Sequence, residues 1–130
     1  MYAIEVQTVF SAAHALRLPG GALEPMHGHD FRVTVKITCQ HLDALETVLD
    51  FHDVEKGLEG VVGPWRNRSL NEMEPFQSKV NPSAERIAEE IGRQMEKELV
   101  RIVGENNSRQ VRLSEVRVTE ATNCQAIWSI

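Results

Sequence analysis

His27-Gly28-His29-Asp30-Phe31-Arg32-Val33-Thr34-Val35-Lys36-Ile37-Thr38-Cys39 alternates from end to end. Phe31, Val33, Val35, Ile37 and Cys39 are apolar and fall on one side of an extended chain, with Arg32, Thr34, Lys36 and Thr38 on the other. The pattern predicts a strand with one buried face. His27 and His29 share the parity of Phe31, so they continue that face toward the strand's start. Residues i and i+2 on a strand have Cα atoms about 6.5 Å apart, which lets both imidazoles turn onto one metal ion. A third histidine from a neighbouring strand would complete a three-nitrogen site with an open fourth position, the arrangement of catalytic zinc.

That neighbour lies upstream. Tyr2, Ile4, Val6, Thr8 and Phe10 share one parity, and extending it places Ala12 and His14 on the same face. Pro19-Gly20-Gly21 supplies a turn-rich connection between the two strands. Three of the five histidines thus fall within the sixteen residues from His14 to His29. His41 reads as a loop residue and His52 as the start of a helix.

Further along, Thr47 to Phe51 reads as a short strand. Val54, Leu58, Val61 and Val62 fit one helix face, weakened by Gly57 and Gly60. Pro64 to Pro82 is long and polar, and a structureless connection of that length is usually functional. A second helix follows, capped by Asn81 with Pro82 in its first turn, and Ala84, Ala88, Ile91, Met95, Leu99 and Ile102 form its apolar stripe. Gly104-Glu105-Asn106-Asn107 ends it. Val111 to Thr119 is a strand with Glu120 in phase with Val116 and Val118, and Ala126 to Ile130 is a last short strand. The order β-β-β-α-α-β-β predicts an α+β fold, two helices on one face of a four-stranded antiparallel sheet. Its exposed edges and uncovered face favour self-association.

Composition narrows the function. A chain of 130 residues, 42% hydrophobic and 25% charged, is expected to form one soluble globular domain over 1–130. A net charge of −5 without a basic run argues against a nucleic-acid surface. Met1 to Phe10 alternates instead of carrying a basic end and an apolar block, so it reads as strand and not as a signal peptide. No apolar stretch approaches the roughly 20 residues that span a bilayer. Cys39 and Cys124 form no disulfide framework, and free thiols suit the cytoplasm. Cys39 continues an apolar face and should pack as a small hydrophobe.

Five motifs in order resemble the 6-pyruvoyltetrahydropterin synthases and their relatives, the 6-carboxytetrahydropterin synthases of queuosine biosynthesis. Phe10-Ser11-Ala12-Ala13-His14 is similar to that family's F-x-A-A-H, and Met26-His27-Gly28-His29-Asp30-Phe31 to its L-H-G-H-N-Y. Asp50-Phe51 matches its D-F, Asn81-Pro82-Ser83-Ala84-Glu85 resembles N-P-T-x-E, and Thr119-Glu120 falls at its pterin-anchoring glutamate. The resemblance implies a tetrahydrobiopterin-synthesis (T-) fold, with sheets of three subunits closing an oligomeric barrel and two trimers stacking as a hexamer. It implies Zn2+ on His14, His27 and His29, a dihydropterin substrate, and pterin binding through Glu120 beside Thr119. The implied activity is a zinc-dependent lyase acting on the pterin side chain, in tetrahydrobiopterin, queuosine or folate synthesis.

Three departures qualify it. Leu23 stands where the family has its catalytic cysteine. Arg66 and Asn67, aligned through Leu70-Asn71, stand where it has aspartate and histidine in L-D-H-x-x-L-N. Glu24, three residues before His27, is then the candidate general base, because a subgroup of the family uses glutamate and cleaves dihydroneopterin to 6-hydroxymethyldihydropterin. Two other readings stay open: a non-catalytic zinc- and pterin-binding homologue, and an enzyme whose Arg66 and Arg68 hold a phosphate or carboxylate tail.

Overall fold

A computed structural model describes residues 1–130. Strand β1 (Tyr2–His14) and strand β2 (His27–Cys39) are each 13 residues long and pair antiparallel, from Tyr2 opposite Cys39 to His14 opposite His27. Helix α1 (Phe51–Val62) follows, then a two-residue strand β3 (Arg68–Ser69), helix α2 (Ala84–Val103), strand β4 (Arg112–Ala121) and strand β5 (Cys124–Ser129). The sheet order is β3-β1-β2-β4-β5, antiparallel except where β3 runs parallel to β1. The sheet therefore has five strands, not four, because the edge of β1 captures a short piece of the long connection.

The alternation read from sequence is the alternation that packs. Val6, Phe10, Phe31, Val33, Val35, Ile37, Val116 and Val118 are buried on the helix-covered face. They meet Val54, Leu58, Val61 and Val62 of α1 and Ile87, Ala88, Ile91, Met95 and Leu99 of α2. Burying each of these larger side chains contributes about 1.5–3 kcal/mol, the main drive for the helices to cover the sheet. Gly92 lets α2 lie directly on β5, since a Cβ there would fall 2.1 Å from the Trp128 ring. Cys39 is buried in the same core and Cys124 is exposed. The other face is polar: Arg117 donates to Glu5 at 2.9 Å and to Glu115 at 2.7 Å. No helix is long and apolar enough to cross a membrane.

Three local expectations are corrected. Thr47 to Phe51 is not a strand. Asp43 Oδ1 accepts from the backbone of Leu45 and Thr47, both at 2.9 Å, and Asp50 caps α1 by accepting from His52 N at 2.8 Å. A carboxylate that satisfies nearby amides in this way holds a turn in place of a ladder. Those bonds hold the Asp43 carboxyl below its ordinary range, led by the Thr47 amide. Second, Ser83, not Asn81, caps α2, accepting from Arg86 N at 3.2 Å. Third, residues 64–82 are not structureless. Two short 3-10 turns (Gly63–Trp65 and Leu70–Glu72) flank β3, and buried Trp65, Leu70 and Phe76 anchor the segment to the core.

Candidate metal centre

The buried parity of β1 and β2 delivers His14, His27 and His29 to one spot at the end of the sheet. His14 faces His27 across the ladder, and His29 lies two residues further along, opposite Ala12. Ring centroids are 4.6 Å apart for His14–His27, 5.1 Å for His14–His29 and 4.9 Å for His27–His29. One ring nitrogen of each lies within 4.8 Å of the other two, so the trio could hold a metal ion. Phe31 packs edge-on beneath His14 and His29, giving the cluster an apolar floor.

Orientation comes from the opposite ring nitrogen. His14 Nδ1 lies 2.7 Å from the Pro82 carbonyl oxygen and His27 Nδ1 lies 2.8 Å from that of Pro25. A carbonyl only accepts, so both Nδ1 atoms carry hydrogen, and Nε2 is the nitrogen each neutral ring would offer to a metal. His14 is 2% exposed. Its Nε2, and that of His29, are buried without a hydrogen-bond partner. Buried nitrogens left without a hydrogen-bond partner are uncommon, and two within one histidine cluster are a donor set that could hold a cation.

The chain beyond His14 is held by side chains acting as strand edges. Asn71 accepts from Ala15 N at 2.9 Å and donates to Ala15 O at 2.8 Å. Asn81 does the same for Arg17, at 2.7 and 3.1 Å. On the other edge Leu16 N donates to Glu24 Oε1 at 2.8 Å, and Glu24 N donates to Leu16 O at 3.0 Å. Glu24 is half-buried beside the metal-site segment, and its carboxylate comes within 4.0 Å of none of the three imidazoles. Asn71, Asn81 and Pro82 were not expected as parts of the site. Their sequence marks, Leu70-Asn71 and Asn81-Pro82, indicate motif positions but not that their amides and carbonyl return to β1.

Glu120 is brought to the cluster. Its Oε1 lies 3.1 Å from His14 Nε2 and 4.0 Å from His29 Nε2. Thr119 alternates to the other face of β4, pairing with Arg32 and Gln125, and does not join it. Arg66 is mostly engaged: it donates through Nε and Nη2 to Glu59, at 2.9 and 2.7 Å, through Nη1 to Val9 O and through Nη2 to Thr8. Four of its five N–H donors are used in this way, which leaves one Nη1 hydrogen and no bidentate fork for a ligand tail. Paired this way, the Arg66 guanidinium is raised above its ordinary range and the Glu59 carboxyl lowered below its own, each chiefly by the hydrogen bond between them. Arg68 lines an open cavity of about 590 Å³ with Ser11, His29, Asp30 and Asn67.

The fold is that of known proteins. A Caenorhabditis elegans 6-pyruvoyl tetrahydropterin synthase is 20% identical over 99% of this chain and 95% of its own, with a TM-score of 0.77. A Plasmodium vivax 6-pyruvoyl tetrahydropterin synthase is 19% identical over the full length of both chains, with a TM-score of 0.74. A variant of the Plasmodium vivax enzyme, with a catalytic glutamate replaced by alanine, is 18% identical over 100% of both chains at a TM-score of 0.67. Among curated proteins none matches the chain. At these identities the solved structures establish the T-fold alone. Sequence carries the assignment further: the model of the 6-pyruvoyl tetrahydropterin synthase family matches residues 3–129, and with its motif histidines gathered at one end of that fold, the chain belongs to this family.

Proposed function

We propose that the protein is a zinc-dependent lyase acting on the side chain of a dihydropterin. The observation that carries the reading is the pair of buried, unpartnered Nε2 atoms of His14 and His29 within the three-imidazole cluster. The residues fit the metal: three imidazole nitrogens, two of the rings oriented by carbonyls, are a zinc donor set that leaves a position free for substrate. Bound zinc would act as a Lewis acid, lowering the pKa of C–H bonds beside the side-chain oxygens it holds.

The chain's own groups would do the rest. His14, His27 and His29 hold the metal, and Phe31 keeps water from beneath it. Glu24 is the proton acceptor. Leu23 supplies no thiol and Arg66 is committed to Glu59, so neither offers a base. The Leu16 amide fixes one Glu24 oxygen and leaves the other to take a proton. The reading is supported by the Plasmodium vivax enzyme, whose catalytic residue is a glutamate. With a glutamate base, the reaction is cleavage of the dihydroneopterin side chain. Glu120 is the pterin-binding carboxylate. The protein works as a homo-oligomer, which would enclose the exposed flank of His27 and the open strand edges.

Product analysis tests this. The zinc-loaded protein is incubated with dihydroneopterin and, separately, with its triphosphate. Formation of 6-hydroxymethyldihydropterin, lost in Glu24→Gln with zinc still bound, is the expected result. Unchanged turnover in Glu24→Gln removes Glu24 from the mechanism. Pterin binding without turnover of either compound would make the protein a zinc- and pterin-binding homologue.

A further inference from the structure

Two of the three imidazoles are aimed by carbonyls outside the cluster, and the one that aims His14 comes from far along the chain. Pro82 O lies 2.7 Å from His14 Nδ1. The way α2 begins leaves that carbonyl free for the contact. Ser83 caps the helix through its side chain, and its own carbonyl accepts from Ile87 N, so the helix's hydrogen bonds start one residue after Pro82. Pro82 is buried, yet it belongs to neither helix nor strand. No ladder holds it in place.

The hold comes from Arg17, three residues beyond His14. Its backbone N–H donates to Asn81 Oδ1 at 2.7 Å, and its carbonyl accepts from Asn81 Nδ2 at 3.1 Å. Its guanidinium reaches across the same segment: Nη2 donates to Phe76 O at 2.6 Å and Nη1 to Val80 O at 3.1 Å. Neither carbonyl has a backbone partner. Phe76 is itself fixed, buried with its ring centroid 5.7 Å from that of Trp65. Arg17 therefore ties the strand that carries His14 to both ends of the stretch that leads into Pro82.

We propose that Arg17 is a positioning residue of the metal centre. By gripping Phe76 O and Val80 O it fixes the segment that ends in Pro82, and so fixes the direction in which His14 presents its metal-binding nitrogen. The role rests on the zinc reading above, and Arg17 itself touches neither metal nor substrate. Geometry favours arginine here. A planar guanidinium offers two nitrogens in a rigid fork to two carbonyls four residues apart, whereas an ammonium is a point donor on a flexible stem. Groups that orient a metal-binding imidazole govern affinity although they never contact the ion. The sign of the effect separates position from charge. A cation near the site repels a divalent ion, so through charge alone the loss of Arg17 would strengthen zinc binding. Through position, its loss weakens binding.

Zn2+ titration of the apo-protein tests the role, with the visible bands of the Co2+-loaded form and urea denaturation followed alongside. Arg109→Met is the control. Arg109 Nη1 donates to Val48 O at 2.9 Å, a similar grip on a connection, and its carbonyl accepts from Gln40 N just past Cys39, at the end of β2 away from His27. Arg17→Met should still bind one equivalent of zinc, about tenfold more weakly than wild type and with shifted cobalt bands. Arg17→Lys, able to grip one carbonyl only, should recover part of the loss. Arg109→Met should lose stability with zinc affinity and cobalt bands as in wild type. Zinc affinity unchanged or raised in Arg17→Met overturns the positioning role and leaves the three-histidine site standing. An equal loss of affinity in Arg109→Met also overturns it, since general loosening of the fold would then explain both. A wild-type protein that binds no stoichiometric zinc overturns the zinc reading and this role together.

Discussion

Two clusters of cationic or potentially cationic side chains lie on the sheet's β1 side, and they differ in one respect. At the open end of β1 and β2, His14 and His29 keep a buried nitrogen with no hydrogen-bond partner, although Glu120 Oε1 lies 3.1 Å from the first. Along the flank of β1, Arg66 spends its donors on Glu59, Thr8 and Val9. The first arrangement leaves donor capacity that could hold a metal ion. The second uses four of five donors within the chain, and it fastens the 3-10 turn after α1 to the strand edge. From sequence, a loop arginine where the family has aspartate suggested a hold on an anionic substrate. What separates a binding site from a staple here is whether hydrogen-bonding capacity is left over, and charge alone does not report that.

The largest test of the contrast removes one donor from each cluster. His29→Ala should abolish stoichiometric zinc, measured by elemental analysis after dialysis, and should leave thermal stability of the apo-protein almost unchanged. Arg66→Ala should do the reverse: full zinc occupancy, with a stability loss of about 1–3 kcal/mol in urea because backbone and carboxylate acceptors lose their donor. Zinc retained in His29→Ala, or lost in Arg66→Ala, would erase the distinction.

Legibility followed regularity. His14, His27 and His29 could be placed on one buried face because strand parity carries over long alternating runs, and the register of β1 with β2 follows from that parity. The same parity put Glu120 on the inner face, while Thr119, named beside it from the family resemblance, alternates to the other side. The strand expected at Thr47 to Phe51 and the cap expected at Asn81 failed for a shared reason, which lies in Asp43 and Asn81. Both residues can satisfy backbone groups near or far in sequence, and only the fold decides which. Asp43 chose its neighbours and removed a strand. Asn81 chose Arg17, some 60 residues away, and left Ser83 to cap α2. Residues 64–82 carried no periodicity because their order comes from Trp65, Leu70 and Phe76 reaching the core one at a time.

A smaller effect should link the two regions. Asn71 pairs with both backbone groups of Ala15, next to His14, and comes from the same connection that Arg66 fastens. Asn71→Ala leaves a part-buried amide and carbonyl unpaired, a cost of about 1–3 kcal/mol. Because no ligand is removed, zinc should still bind at one equivalent, but several-fold more weakly. Zinc titration beside urea denaturation separates the two effects. Unaltered zinc affinity with the stability loss intact would show that His14 is held by Pro82 and the β1–β2 ladder alone.

The smallest effect is also the one with a defined pH signature. Glu59 has its folded carboxyl lowered by the Arg66 hydrogen bond. A lowered folded pKa means that the ionised form is favoured by folding, so its stabilisation is fully present above the unfolded value and fades as pH falls through the folded one. The Glu59 side chain is 52% exposed and Arg66 34%, so solvent screening limits the pair to about 0.2–1 kcal/mol. Glu59→Gln should therefore lower stability by that amount at neutral pH and by almost nothing once the wild-type carboxylate is protonated. The two denaturation curves should converge on the acid side of the carboxylate range, and added salt should narrow the neutral gap. Zinc content, measured at neutral pH, should stay the same in both proteins, since Glu59 and Arg66 face the flank of β1 and not its histidine end. A gap that persists unchanged into acid would assign the loss to packing of the Glu59 stem and not to its charge, and the contact with Arg66 would then fasten the turn by shape more than by ion pairing.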